Sequence, residues 1–174
     1  MIETIIDPLA LRTVLGRFAT GIVVITAGGP GGRPIGMTVN SFSSVSMNPP
    51  LILYCINRSS QLHPTLISAE RFAVNVLTES QRNVSRQFAR PGFDRFGAMS
   101  ASSGSRGIPV LRESLAVIEC VTDRVVRAGD HDIVLGQVLS AETTAHAVPE
   151  PLIYFGGAYR SLAKNSADWW AALA

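Results

Sequence analysis

Ile22-Val23-Val24-Ile25-Thr26, followed closely by Gly28-Gly29-Pro30-Gly31-Gly32, is the stretch on which the fold turns. A run of β-branched residues favours extended backbone, and the lack of polar alternation marks a strand buried on both faces. The glycine cluster lacks the G-x-G-x-x-G spacing, and no helical period opens behind it, so it reads as a flexible hairpin connection rather than a phosphate-binding loop. Rossmann topology is disfavoured.

Upstream, Asp7-Pro8 with Leu11, Val14, Leu15 and Phe18 supplies an N-cap, a proline at the first helical position and an apolar stripe at helical spacing. Gly21 stops that period. Downstream, Pro34 to Ser46 is β-prone, Asn48-Pro49-Pro50 punctuates it, and Leu51 to Ile56 is a second buried strand. The polar cluster Asn57-Arg58-Ser59-Ser60 precedes a short helix that starts at Pro64 and ends near Ala69. Phe72 to Leu77 reads as a strand, and Ser80 is the expected cap of a short helix carrying Val84 and Phe88 on one face. Ala89 to Pro109 is Gly-, Ser-, Arg- and Pro-rich without periodicity, a candidate lid. Leu115 to Val126 and Ile133 to Ala141 form two long strands joined through Arg127 to Asp132, and Leu152 to Phe155 is a last strand before Gly156-Gly157. With strands outnumbering short helices and no βαβ alternation, the expected class is mainly β, an antiparallel barrel with short peripheral helices.

A chain of 174 residues suits one domain, here residues 1–164, with a tail from Asn165 to Ala174 that carries Trp169 and Trp170. Hydrophobic residues make up 47% and charged residues 16%, so apolar surface must be buried in the fold or against another subunit. The net charge of +2, with basic residues scattered, gives no nucleic-acid footprint. Cys55 and Cys120 stand alone in apolar runs, as buried thiols do in a reducing cytoplasm. Glu3 and Asp7 interrupt the N-terminus, which resembles neither signal peptide nor anchor, and no run reaches spanning length, so a soluble cytoplasmic protein with no membrane partner is expected.

Two places carry candidate chemistry. Thr38-Val39-Asn40-Ser41-Phe42-Ser43 and Asn57-Arg58-Ser59-Ser60 lie at strand ends, and together their hydroxyls, amides and one guanidinium suit an anionic, hydrogen-bond-rich ligand. On composition alone they serve equally well as ordinary strand-edge polar residues. Gly-Asp-His-Asp sets His131 on a tight turn between two carboxylates, where a histidine is either functional or simply solvated. His63 before Pro64 is assigned to starting its helix, and His146 has no evident partner. The dispersed histidines and cysteines argue against a metal site, and no G-x-S-x-G elbow points to a serine hydrolase.

These segments fall in an order that resembles the flavin reductase family. The resemblance runs from about Leu11 to Leu162. It is carried by Phe18 to Thr26, Gly36 to Ser46, Pro49-Pro50-Leu51, Phe72 to Leu77, Gly129-Asp130-His131, Tyr154-Phe155 and Tyr159-Arg160. It implies a split antiparallel β-barrel of Greek-key, FMN-binding type, working as a homodimer with flavin near the dimer interface. It also implies a flavin reductase that moves hydride from NADH or NADPH to FMN or FAD and supplies a flavin-dependent monooxygenase. The alternative is a barrel that binds flavin without turning over nicotinamide.

By position, the resemblance sets Thr38, Val39, Asn40 and Ser41 at the isoalloxazine edge, with Ser43 and Cys55 on the same cofactor-binding side. Asn57, Arg58, Ser59 and Ser60 approach the ribityl phosphate, Arg95 and Phe96 form a basic-aromatic pair beside phosphate and ring, and Arg90 joins them. His131 holds the nicotinamide and Tyr159 faces the same space. Gly156-Gly157-Ala158 precedes Tyr159 where the family is often bulkier or charged.

Overall fold

The β-branched run folds as the strand Val23–Gly28, and its residues Val23 to Ala27 are buried on both faces. The computed structural model describes residues 6–92, 95–96, 102–143 and 150–162 of the chain. In chain order the elements begin with helix α1 (Pro8–Leu15) and strands β1 (Thr20–Gly21), β2 (Val23–Gly28), β3 (Pro34–Val39), β4 (Ser43–Met47) and β5 (Pro50–Asn57). Helix α2 (His63–Ser68), β6 (Arg71–Val76), α3 (Arg82–Ala89), β7 (Ser102–Ser103) and β8 (Pro109–Val110) follow. Two long strands, β9 (Ala116–Ala128) and β10 (His131–Thr143), and two short ones, β11 (Ile153–Phe155) and β12 (Ala158–Arg160), complete the set. The tail, His146, Phe93 and Asp94 lie outside the described residues.

A seven-stranded antiparallel sheet runs in the order β3-β2-β6-β9-β10-β5-β4. Its two edge strands, β3 and β4, are consecutive in the chain. The β-prone segment Pro34 to Ser46 is therefore not one strand; it breaks at Asn40 to Phe42, where the chain crosses between the sheet's ends. β1, β11 and β12 form a second small sheet. β1 and β12 carry no signal in the sequence, because two or three residues cannot display a period.

β2 divides two cores. Val23, Ile25 and Ala27 join Ile52, Tyr54, Ile56, Phe72, Val74 and Val134 on one side. Ile22 and Val24 join Leu77, Phe88, Phe96, Leu111 and Leu152 on the other. Asn75 is fully buried beside β2, and both ends of its amide are engaged: Nδ2 donates to Val24 O and Thr26 Oγ1, both at 2.9 Å, and Oδ1 accepts from Leu111 N at 2.8 Å. Helix α3 packs so closely on β3 that a Cβ at Gly36 would stand 2.6 Å from Phe88 Cε1. Only glycine admits that approach.

Two local expectations are corrected. Thr78, not Ser80, caps the turn leading into α3: it forms a capping box with Gln81, whose Oε1 accepts from Thr78 N at 3.1 Å. Threonine three residues before glutamine satisfies two orphan donors at once, which serine at 80 does not. The connection expected from Arg127 to Asp132 contracts to a two-residue turn, Gly129-Asp130, with Gly129 at φ 65°, so His131 opens a strand instead of sitting in a loop. The stripe of α1 meets no core: Leu11, Val14, Leu15 and Phe18 are all exposed, although Asp7 caps the helix as expected through Leu9 N and Ala10 N.

The described parts of the candidate lid are anchored. Arg95 and Phe96 are buried, and β7 pairs with β8. Glu119, 3% exposed on β9, fastens the intervening turn by accepting from the Ser105 hydroxyl and from Arg106 N at 3.3 Å, and it also accepts from Ser140 Oγ at 2.8 Å. Burial pushes the Glu119 carboxyl up, but the hydrogen bonds from Ser105, Ser140 and Arg106 outweigh it and hold it below its ordinary value.

A depressed carboxyl contributes stability above its unfolded pKa of about 4.3 and loses it as pH falls through the lower folded value. Glu119→Gln is expected to cost about 2 kcal/mol near neutrality. The deficit should narrow as pH is taken below about 4.3; urea unfolding across the acid range checks this, and a deficit independent of pH would count against it.

Candidate functional site

The two regions singled out by sequence meet at one corner of the large sheet. β10 runs antiparallel to β5 with His131 directly opposite Asn57 and Ile133 opposite Cys55. Directly opposed residues project from the same face, so His131 and Asn57 share the face that bears half-buried Leu53, Cys55, Ile133 and Leu135. Asp132 opposes Ile56 and turns to the other face, into the core.

The turn after β5 is held from several sides. Asn57 Oδ1 accepts from Ser59 N at 2.8 Å and Ser59 Oγ at 2.6 Å, an Asx turn. Ser60 N donates to Asn57 O at 3.0 Å, and Arg58 N donates to Asp130 O at 3.0 Å, tying the turn to the one before His131. Ser60 Oγ contacts Met37 Sδ at 3.9 Å, so the end of β3 lies alongside. Arg58 and Ser59 are exposed, and no carboxylate pairs with Arg58 among the described residues.

The Thr38 to Ser43 rim is more heavily engaged. Thr38 Oγ1 donates to Ser85 O on α3 at 2.7 Å. Ser41 Oγ accepts from Cys55 N at 2.9 Å and donates to Cys55 O at 3.2 Å, standing in for a strand neighbour. Val39 packs against the core while Asn40 and Ser43 are exposed. Tyr159 hydrogen-bonds Ser85 Oγ at 2.8 Å and carries Arg86 5.6 Å above its ring, so Ser85 links it to Thr38. Arg90 is exposed at the end of α3. Arg95 donates through Nε to Gly92 O at 3.0 Å and through Nη1 to Gly36 O at 3.2 Å and Phe88 O at 2.7 Å, and Phe96 meets Phe88 edge-on at 4.9 Å. Burial lowers the Arg95 guanidinium below its ordinary value.

His131, 42% exposed at its side chain, has Nδ1 at 2.7 Å from Asp130 Oδ1. The hydrogen bond from His131, with a further electrostatic contribution from the same ring, holds the Asp130 carboxyl below its usual range. An ionised carboxylate only accepts, so Nδ1 carries the hydrogen, and Nε2 has no hydrogen-bond partner among the described residues. Sequence reading missed a second pair: His63 Nε2 lies 2.7 Å from Asp132 Oδ2, both largely buried. Its one trace was an acidic residue at an inward-facing strand position, which requires a partner.

Both cysteines are free. Burial, and secondarily the Glu119 charge, pushes the Cys120 thiol up to about 12, which leaves it unreactive. Groups that could hold a metal ion are absent among the described residues. The corner thus presents donors of fixed position and one imidazole, without an activated nucleophile. The unpaired Arg58 guanidinium suits a phosphate, the Ser59 and Ser60 hydroxyl oxygens can accept from a polyol chain, and the apolar face beside them fits a flat ring.

The family model described as "Flavin reductase like domain" matches residues 15–163. The chain belongs to that family. A Rhizobium meliloti protein named "Probable flavin reductase" is 46% identical over 83% of this chain and 46% of its own length, so the chain spans about half of that relative. The flavin-dependent monooxygenase reductase subunit HsaB of Mycobacterium tuberculosis is 38% identical over 90% of the chain and 83% of its own length. The Streptomyces globisporus NADH:FAD oxidoreductase SgcE6, solved in complex with NAD and FAD fragments, superposes with a TM-score of 0.85 at 36% identity, covering 95% of this chain and 100% of that one. Within the segment Gly36 to Ser46 that carries the sequence resemblance, Gly36 admits the approach of Phe88 and Thr38 bonds to α3.

Ser41→Ala leaves the Cys55 N–H without its partner and should cost about 2 kcal/mol in urea unfolding. Ser43→Ala, whose exposed hydroxyl reaches only the next carbonyl, should stay within about 0.5 kcal/mol of the parent. Equal effects would contradict the bonding described.

Proposed function

We propose that this chain is an NAD(P)H-dependent flavin reductase, which transfers hydride from NADH or NADPH to FMN or FAD and passes reduced flavin to a flavin-dependent monooxygenase. The observation that carries this reading is the pairing of His131 with Asn57, which sets the imidazole and the phosphate-suited turn on one face of one sheet. The family match, the NAD and FAD fragments bound by the Streptomyces relative and the naming of the Mycobacterium relative as a monooxygenase reductase subunit support it.

Bound flavin supplies the two-electron acceptor for a hydride carried by reduced nicotinamide. The protein contributes position. Arg58, Ser59 and Ser60 receive the phosphate and ribityl chain, Asn57 holds their turn, and the backbone from Thr38 to Ser41 lines the ring edge, with Ser43 and Cys55 beside it. Amides along that rim would stabilise negative charge on the ring of a bound, reduced flavin. His131 Nε2 seats the nicotinamide over the ring, with its ring plane fixed by Asp130. Arg90, Arg95, Phe96 and Tyr159 belong to the surrounding wall; Arg95 and Phe96 act through the backbone they hold.

The working unit is a homodimer of one domain, residues 1–164, in the cytoplasm, with the large sheet wrapped as a split barrel. Exposed Leu11, Val14, Leu15, Phe18 and Met47 and the half-buried face of Leu53, Ile133 and Leu135 support a second subunit closing the open side of the site. Two concavities among the described residues, around Arg71 and Arg106 and around Ser105 and Glu119, include none of these site residues, which suits a cleft to which one chain contributes only part.

Purified protein mixed anaerobically with FMN or FAD and NADH or NADPH should bleach flavin absorbance; unchanged absorbance with every pair would reduce the chain to a binding module. His131→Ala should raise the nicotinamide KM by roughly tenfold while flavin affinity shifts less than about twofold. Equal loss of both would remove His131 from the nicotinamide.

A further inference from the structure

The side chains of His63 and Asp132 pair with each other on the hidden side of the corner, away from the sheet face assigned to ligand. Asp132 is 7% exposed, and the side chain of His63 is 13% exposed. The 2.7 Å contact between Nε2 and Oδ2 joins the first residue of α2 to the second residue of β10. The carboxylate accepts, so Nε2 carries the hydrogen. The main chain of His63 is engaged too, since its N–H donates to Ser60 O at 3.0 Å.

These bonds close a circuit. Asn57 pairs with His131 across the strands, Arg58 N reaches Asp130 O, Ser60 O accepts from His63 N, and the His63 side chain returns to Asp132, the neighbour of His131. Every other tie between the turn after β5 and the start of β10 in this circuit is a backbone bond at the sheet's end, where strands fray. The side-chain pair is the one tie that comes from inside, with low solvent competition for a charge-assisted bond.

We propose that His63 is a positioning residue for hydride transfer: through Asp132 it locks the start of β10, and through Ser60 it locks the phosphate turn, so the imidazole of His131 and the flavin-binding turn keep one fixed separation. This rests on the reading of His131 and the turn given above. A displacement of about 1 Å at such a geometry suffices to change rates by orders of magnitude, so loss of the brace is read in substrate constants before it is read in folding. A glutamine in place of His63 is long enough for its amide to reach Asp132, whereas asparagine and alanine are too short.

The test compares the parent, His63→Ala, His63→Asn, His63→Gln, His131→Ala and the double variant His63→Ala/His131→Ala. It measures flavin affinity by fluorescence quenching with FMN, nicotinamide KM and kcat with NADH, and the thermal midpoint of each protein. His63→Ala and His63→Asn should remain folded at the assay temperature, weaken FMN and raise the nicotinamide KM by roughly tenfold, and His63→Gln should recover most of both. The double variant should show no higher nicotinamide KM than His131→Ala alone, because the brace acts on that substrate through His131.

Parent-like constants in folded His63→Ala, or losses that multiply in the double variant, would overturn the proposal. So would failure of both short variants to fold, which would make the pair a folding requirement only. If His131→Ala itself leaves the nicotinamide KM unchanged, the reading of His131 fails, and the brace stands or falls on flavin affinity, which His63→Ala must lower and His63→Gln restore.

Discussion

Val24 and Ile25 are neighbours in β2 and face opposite cores, and both are fully buried. A strand in that position leaves no freedom of register, because a slip by one residue would exchange the sets of side chains committed to each core. β3 and β6 flank β2 and inherit its register through Thr26 opposite Gly36 and Ala73. That chain of constraints places Thr38, which in turn docks α3 through Ser85, and the same α3 brings Phe88 against Gly36 and its own end against Arg95. A burial requirement in the middle of the molecule thus fixes a rim of polar residues at its edge.

The rim is joined to the rest of the site across the other end of the sheet. Ser41 bonds both backbone groups of Cys55, so the chain leaving β3 is fastened to β5 before it enters β4. β5 then carries register to β10, and β10 delivers His131 opposite Asn57. Candidate residues far apart in sequence are therefore located by strands rather than by free loops, which suits a reaction whose demand on the protein is distance and orientation.

Much of this was legible in the residues. Helical periodicity located α1, and runs of β-branched and apolar residues located β2, β5, β6 and the two long strands. Boundaries were less legible wherever a single glycine or a side-chain bond decides them. Gly129 tightens the last turn and moves His131 into a strand; Thr78 and Gln81 move a cap by two residues; the crossing at Asn40 to Phe42 divides one apparent strand into two. At the site, residue type identified the turn from Asn57 to Ser60 and the imidazole at 131. The partners of those residues were not legible, since the Ser41–Cys55, Thr38–Ser85 and His63–Asp132 contacts join segments whose spacing carries no local signal.

The allocation of hydrogen bonds also bears on how firmly a cofactor is held. The hydroxyls of Thr38 and Ser41 are committed to protein carbonyls and amides, and Arg95 directs two of its nitrogens at main chain. The main-chain N–H groups of Arg58, Ser59 and Ser60 and the Ser59 hydroxyl hydrogen are likewise spent within the turn, so what the described corner offers a ligand is the Arg58 guanidinium, the remaining lone pairs of the Ser59 and Ser60 hydroxyls and one imidazole nitrogen, beside an open sheet face. For the proposed flavin ligand, such a surface supplies few charged contacts and leaves much of the ring's enclosure to the proposed second subunit. Under the reductase reading, weak enclosure is an advantage: a cofactor that must leave reduced for another enzyme is better gripped at its phosphate and edge than buried, and the rigidity needed for hydride transfer is then supplied by the frame behind the site rather than by contacts to the ligand.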